Sequence, residues 1–228
     1  MDEACSRDST MRTTLLATVF LSGGALMSLE MAGFRLLPPY FGDDIEVWGS
    51  IISVFLGGLA LGAVSGGTWA DRGPRLWKLG LILAAAGLAA LLLPLYARPV
   101  MDWLSGKGAP LPAEWGGDGG VYKPPSLRWQ ALAAALVMFG PLTLLLGMVS
   151  PYAARLFVYG MPKMGADVGR LYGVSTVGSI LGTIGTAFYL IAWMGTRGLL
   201  VSNGILLATL GVLLGTSDLL GLWKRPAT

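Results

Sequence analysis

The sequence predicts an all-α integral membrane protein, and three observations carry that prediction. The 228 residues are 54% hydrophobic and only 13% charged, where a soluble domain carries roughly 25% charge. The apolar residues gather into runs separated by short polar turns, and about 20 apolar residues in a helix cross the hydrocarbon core of a bilayer. Gly58, Gly62 and Gly66 recur every four residues in one such run and so line one helix face. A face of glycines lets another helix's backbone come close. That is how helices associate in lipid, where burying apolar surface gives no advantage.

Residues 1–12 are polar and mixed in charge, and read as an inner tail. The run from Thr13 to Leu37 is too long for a signal-peptide core, lacks a small-x-small cleavage site, and ends at Pro38-Pro39. After the acidic turn of Asp43, Asp44 and Glu46 comes a second span from Val47 to Ala70. The cluster Asp71-Arg72-Gly73-Pro74-Arg75 closes it, because such charge does not sit in hydrocarbon. A third span runs from Trp77 to Ala97, completing the first three-helix unit, residues 13–97.

Residues 98–126, rich in Pro, Gly and Trp, are expected to form an outer loop with a short interfacial helix near Val100–Leu104. Trp and Tyr favour the headgroup zone. The second unit, 127–223, holds a fourth span from Leu127 to Val149 with a kink expected at Pro141. A basic amphipathic connector follows over 152–170. The fifth span runs from Leu171 to Trp193 with Gly178 and Gly182 on one face, and a tight Gly195-Thr196-Arg197 turn leads to a sixth from Gly198 to Leu222. Residues 224–228 form an inner tail.

The Lys and Arg distribution sets the expected orientation. With six spans and the N-terminus inside, ten of the 16 Lys and Arg residues fall on the inner side, and the acidic first loop falls outside. Both termini are then cytoplasmic. The glycine-rich span is the middle one of each half, and three spans per half make the second half enter from the opposite side. This is the pattern of an inverted three-plus-three repeat.

Composition also excludes functions. There is no histidine, which removes the commonest general base and metal ligand, so neither a metal nor a cofactor is expected. The single cysteine, Cys5, allows no intrachain disulfide. A net charge of +3 without a long basic run gives no footprint for nucleic acid.

Glu30 is the leading candidate for function. It lies about 10 Å inside the first span, where a carboxylate costs several kcal/mol unless protonated or paired. Arg35, five residues on, is poorly placed to pair with it and can snorkel to the outer interface. Glu30 therefore reads either as a cation or proton site or as a buried acid that fixes helix packing. Asp71, Arg72 and Arg75 form an interfacial charge group with a possible gating role, and Arg197 stands in the last outer turn. The Gly116–Gly120 segment, GGDGG, has the look of a ligand-binding turn, but Pro112-Ala113-Glu114-Trp115 before it is no apolar strand, and it reads as a chance match.

Taken in order, the chain resembles the membrane half of the fused MFS/spermidine synthase proteins. Four segments carry the resemblance: LSGGALMSLEMAGFRLL, GGLALGAVSGGTWADRGPR, VGRLYGVSTVGSILGTIGTAF (168–188) and GTRGLL (195–200). The family usually has Asn where this chain has Ser175. The G-x-x-x-D-R-G-x-R order from Gly67 resembles the loop after the second helix of major facilitator transporters, where the acid and arginines are implicated in holding the inner gate. The resemblance implies a six-helix bundle like half of a major facilitator fold. Because the sequence stops at Thr228, it also implies a membrane domain without the synthase.

The expected function is thus a non-catalytic membrane subunit, in a bacterial inner membrane, that anchors or scaffolds a protein partner. The alternative is a small-cation or polyamine transporter built as a homodimer of six-helix halves with Glu30 as its acid.

Overall fold

The computed structural model describes residues 2–105, 125–158 and 164–220, and every regular element among them is helical. In chain order these are α1 (Asp2–Leu36), the short α2 (Pro38–Phe41), α3 (Ile45–Asp71), α4 (Leu76–Leu104), α5 (Pro125–Val158), α6 (Met164–Gly185), a π-helical turn (Thr186–Leu190) and α7 (Ile191–Leu219). Five apolar helical stretches are long enough to cross a membrane: Thr10–Phe41, Ile45–Asp71, Leu76–Leu104, Trp129–Phe157 and Gly165–Leu219. The chain is an integral membrane protein of the helical class.

Several boundaries differ from the sequence expectation. The polar residues after Met1 are already helical and extend α1. The interfacial helix expected near Val100–Leu104 is instead the end of α4, which continues through Pro94 and Pro99. The fourth span does not stop near Val149. α5 runs through Pro141 and Pro151 to Val158 and takes up the first part of the expected connector. Proline removes one hydrogen bond per site, and the flanking apolar turns outweigh that loss. The glycine–aspartate segment 116–120 lies outside the described residues.

The fifth and sixth spans were expected as separate helices, and the described helix is continuous over 165–219. It is not straight. Gly195 has φ +65° and ψ 175°, a left-handed conformation that favours glycine. The consequence shows at Ser28, whose Oγ accepts hydrogen bonds from both Thr186 Oγ1 and Asn203 Nδ2, each 2.9 Å away. Seventeen residues of straight helix would separate those two donors by about 25 Å. The chain therefore folds back at Gly195, and α7 packs against α4 and α1.

Three helix pairs dominate the packing: α3 with α5, α4 with α7, and α1 with α6. Glycine sets the contact in each. A Cβ at Gly66 would lie 2.6 Å from Met148 Cα, and one at Gly62 would lie 2.8 Å from Gly147 Cα. Gly58 faces Thr143 in the same seam. Across α1 and α6, a Cβ at Gly182 would lie 2.6 Å from Gly24 Cα, and one at Gly178 would lie 2.8 Å from the Phe20 carbonyl carbon. Between α4 and α7, Gly80 meets Gly211 and Gly87 meets Gly204. Residue numbers rise together across the first and third of these pairs, so those helices are parallel, whereas α4 and α7 are antiparallel. Around these seams sits an apolar core that includes Leu29, Phe55, Leu83, Phe139 and Leu207, with the Phe55 and Phe139 rings 5.4 Å apart.

Candidate functional site

Four local arrangements stand out, beginning at the end of the bundle where α1 starts. There the turn after α3 is clamped to α5. Gly73 supplies the positive φ (+95°) that reverses the chain. The Tyr152 hydroxyl accepts the Arg75 N–H at 3.0 Å and donates to the Arg75 carbonyl at 3.3 Å. Trp69 packs edge-on against the Tyr152 ring, and Lys78 Nζ donates to the Gly73 carbonyl at 3.0 Å while lying 5.9 Å from the Trp69 ring centroid.

Asp71 pairs with Arg155 Nε at 3.1 Å. Arg72 and the Arg75 side chain are exposed, so Asp71, Arg72 and Arg75 share a surface without forming one ion cluster. The Asp71 and Arg155 side chains are 67% and 49% exposed, and water screens such a pair to at most about 1 kcal/mol. Tyr152 is fully buried, so its two bonds to the turn weigh more. Tyr152→Phe is accordingly expected to lower the thermal unfolding midpoint in detergent more than Asp71→Asn does.

At the same end α4 and α7 are joined. Asp218, near the end of α7, accepts the Trp77 N–H at 3.1 Å. The carboxylate thus serves an otherwise unpaired amide in the first turn of α4, where a negative charge is favoured.

A buried polar node occupies the bundle interior. Ser28, Thr186 and Asn203 are each at most 7% exposed. Asn203 Nδ2 also donates to the Leu199 carbonyl at 2.9 Å. This node joins α1, the π turn and α7. Its signal in the sequence was Asn203, the only asparagine in the chain and set within an apolar run; the candidate residues named from the sequence did not include it.

The fourth arrangement is a cavity of about 200 Å³ walled by α1, α3, α5 and α6. Ser22, Gly23 and Leu26 form its α1 wall. Glu30, one turn beyond Leu26 on the same stripe of α1, is half-buried, and among the described residues it has no hydrogen-bonding or ionic partner. Arg35 and Arg197 are exposed and lie toward the opposite end from Arg155. The candidate residues therefore do not converge on one site. Glu30 lies on α1 one turn beyond the cavity's lining, Asp71, Arg72 and Arg75 share one bundle end, and Gly58, Gly62, Gly66, Gly178 and Gly182 lie at helix contacts.

Among the described residues, no group of three or more Cys, Asp or Glu side chains is placed to hold a metal ion. No family model, curated protein or solved structure matches the chain.

Proposed function

We propose that the chain is a non-catalytic membrane subunit that crosses the bilayer six times and holds a second transmembrane polypeptide against α3 and α6. The observation that carries this reading is the unequal burial of the helices. Within the most apolar window, 39% of α3 and of Gly165–Leu219 is buried and 44% of α4, against 56% in α1 and α5. On α3, Gly49, Gly57 and Gly67 have nothing within 4 Å of where a Cβ would sit, and the same holds for Gly165, Gly169, Gly173 and Gly185 on α6 and for Gly215 on α7. A glycine inside a helix is less favourable than alanine by about 1 kcal/mol. In lipid, the compensation for such residues is close approach by another helix. The seams within the chain use the neighbouring glycines in this way, and those on the open faces of α3 and α6 remain for a partner.

Three further features support six crossings with both termini inside. The fold-back at Gly195 divides 165–219 into two antiparallel arms. Arg12, Arg72, Arg75, Lys78, Arg155 and Arg170 gather at one end, and Arg35, Arg98 and Arg197 at the other, an asymmetry that favours the first end as cytoplasmic. Exchanging the first three spans for the last three turns the α3–α5 pair into the α6–α1 pair and maps α4–α7 onto itself, as an inverted repeat requires.

Mild purification from native membranes followed by mass spectrometry tests the proposal. It predicts recovery of another membrane polypeptide in fixed stoichiometry; recovery of this chain alone contradicts it.

Glu30 favours a second reading, a small-cation transporter assembled from two copies. A half-buried carboxylate with no protein partner among the described residues is suited to a mobile cation. On that reading Glu30→Gln abolishes cation uptake into liposomes and leaves the protein folded. On the subunit reading the same change leaves partner recovery intact.

A further inference from the structure

The cavity between α1, α3, α5 and α6 has a lining that neither reading uses. Five hydroxyl-bearing residues line it: Ser22, Ser150, Tyr172, Ser175 and Ser179. Two are satisfied within their own helices: Ser22 donates to the Val19 carbonyl at 3.3 Å and Ser179 to the Ser175 carbonyl at 3.1 Å. Among the described residues, the hydroxyls of Ser150, Tyr172 and Ser175 bond to no protein group.

The backbone adds a fourth group, an acceptor. Pro151 has no amide hydrogen, so the carbonyl of Gly147, four residues earlier, loses its helical donor. Both residues line the cavity.

In hydrocarbon, each polar group left without a partner costs several kcal/mol. Three hydroxyls and one carbonyl therefore make a lipid-filled cavity costly, and a hydrogen-bonding occupant removes that cost. The lining defines the occupant's chemistry. Among the described residues no charged side chain lines the cavity, so these walls offer neither an anion nor a cation its counter-charge. The freed carbonyl only accepts hydrogen bonds, and the hydroxyls both accept and donate, which suits a molecule rich in O–H or N–H donors. Leu26, Leu59, Ala63 and Leu146 complete the walls and suit a short carbon skeleton. A volume of about 200 Å³ holds several waters or one small organic molecule.

The geometry points to a water-accessible binding site for a small uncharged solute that carries hydrogen-bond donors, an alcohol, polyol or amide. It lies close to the bundle end marked by Arg155 and Arg170, and solute enters from that side. The site goes beyond the subunit reading and stands without Glu30.

Single-cysteine accessibility tests it, using the full chain in nanodiscs with Cys5→Ser as background. Ser175→Cys on α6 and Ser150→Cys on α5 should both react with a charged, membrane-impermeant thiol reagent, whereas Val177→Cys, on a different face of α6, should not. Glycerol, erythritol, urea or acetamide at high concentration should slow labelling several-fold at positions 150 and 175, but not at Asp167→Cys near the bundle end.

Absence of labelling at both cavity positions overturns the site. Labelling that none of the four solutes slows overturns the ligand class. Should neither variant fold, hydrogen–deuterium exchange of the unaltered chain decides: the segment from Tyr172 to Ser179 should become more protected when glycerol is added, and unchanged exchange with all four solutes overturns the proposal.

Discussion

Gly62→Leu is expected to part α3 from α5 and leave little folded protein. The position has no room for a side chain, because the atoms that a Cβ would meet are backbone atoms of α5, including Gly147 Cα at 2.8 Å. A flexible side chain could swing aside, but a helix backbone moves only as a unit. Overpacking a core ordinarily costs about 1–3 kcal/mol, and a leucine forced against backbone belongs at or above the top of that range. Gly182→Leu should behave alike, since its Cβ would meet Gly24 Cα at 2.6 Å.

The informative control lies five residues before Gly62. Gly57 has nothing within 4 Å of its Cβ position, so Gly57→Leu should leave folding of the isolated chain intact and gain up to about 1 kcal/mol of helix propensity. Thermal unfolding in detergent, read as midpoint shifts for the three variants, checks all of this. If Gly57→Leu also loses folded protein, the glycine on the open face has a role within the chain itself.

The second large effect is expected at the buried node. Ser28→Val removes the oxygen that accepts from both Thr186 and Asn203, leaving two donors short of a partner. In water-soluble proteins each unsatisfied group costs about 1–3 kcal/mol. Inside a bilayer the measured values are smaller, averaging about 0.6 kcal/mol with a maximum near 1.7, because the unfolded chain in the membrane also finds partners. The smaller scale applies here, and two donors together give a loss of about 1–3 kcal/mol. A double-mutant cycle with Thr186→Val isolates the shared bond. Since this node ties both arms of 165–219 to α1, its loss should also loosen the fold-back at Gly195, seen as faster hydrogen exchange in the π turn.

Much of the architecture was legible in the sequence because it rests on short-range patterns. Apolar runs of membrane-spanning length gave the helices, and the four-residue glycine spacing placed Gly58, Gly62 and Gly66 on one face. The left-handed Gly195 was anticipated as a turn because Gly-Thr-Arg interrupts an apolar run. Other features depended on partners distant in sequence. Tyr152 reaches Arg75, Asp218 reaches Trp77, and Ser28 meets Asn203, and no spacing rule links residues so far apart. Helix ends were missed for a different reason. The third and fourth spans were expected to end at Ala97 and Val149, yet each helix continues past Pro99 or Pro151, since one lost backbone bond is small beside the apolar length that carries on past it. Glu30 was legible as a candidate from depth alone, whereas the hydroxyl-lined cavity below it arises from four helices, and its serines carry no signature among so many small residues.

On the subunit reading, the open faces of α3 and α6 meet another transmembrane polypeptide. Photo-crosslinking in native membranes tests it most directly, with a photoreactive residue at Leu56 on α3, at Ile180 on α6 and, for comparison, at Leu88 on α4. All three side chains are more than half exposed. The account predicts one discrete protein adduct from Leu56 and Ile180 and only lipid adducts from Leu88. Lipid adducts alone at all three positions would contradict it.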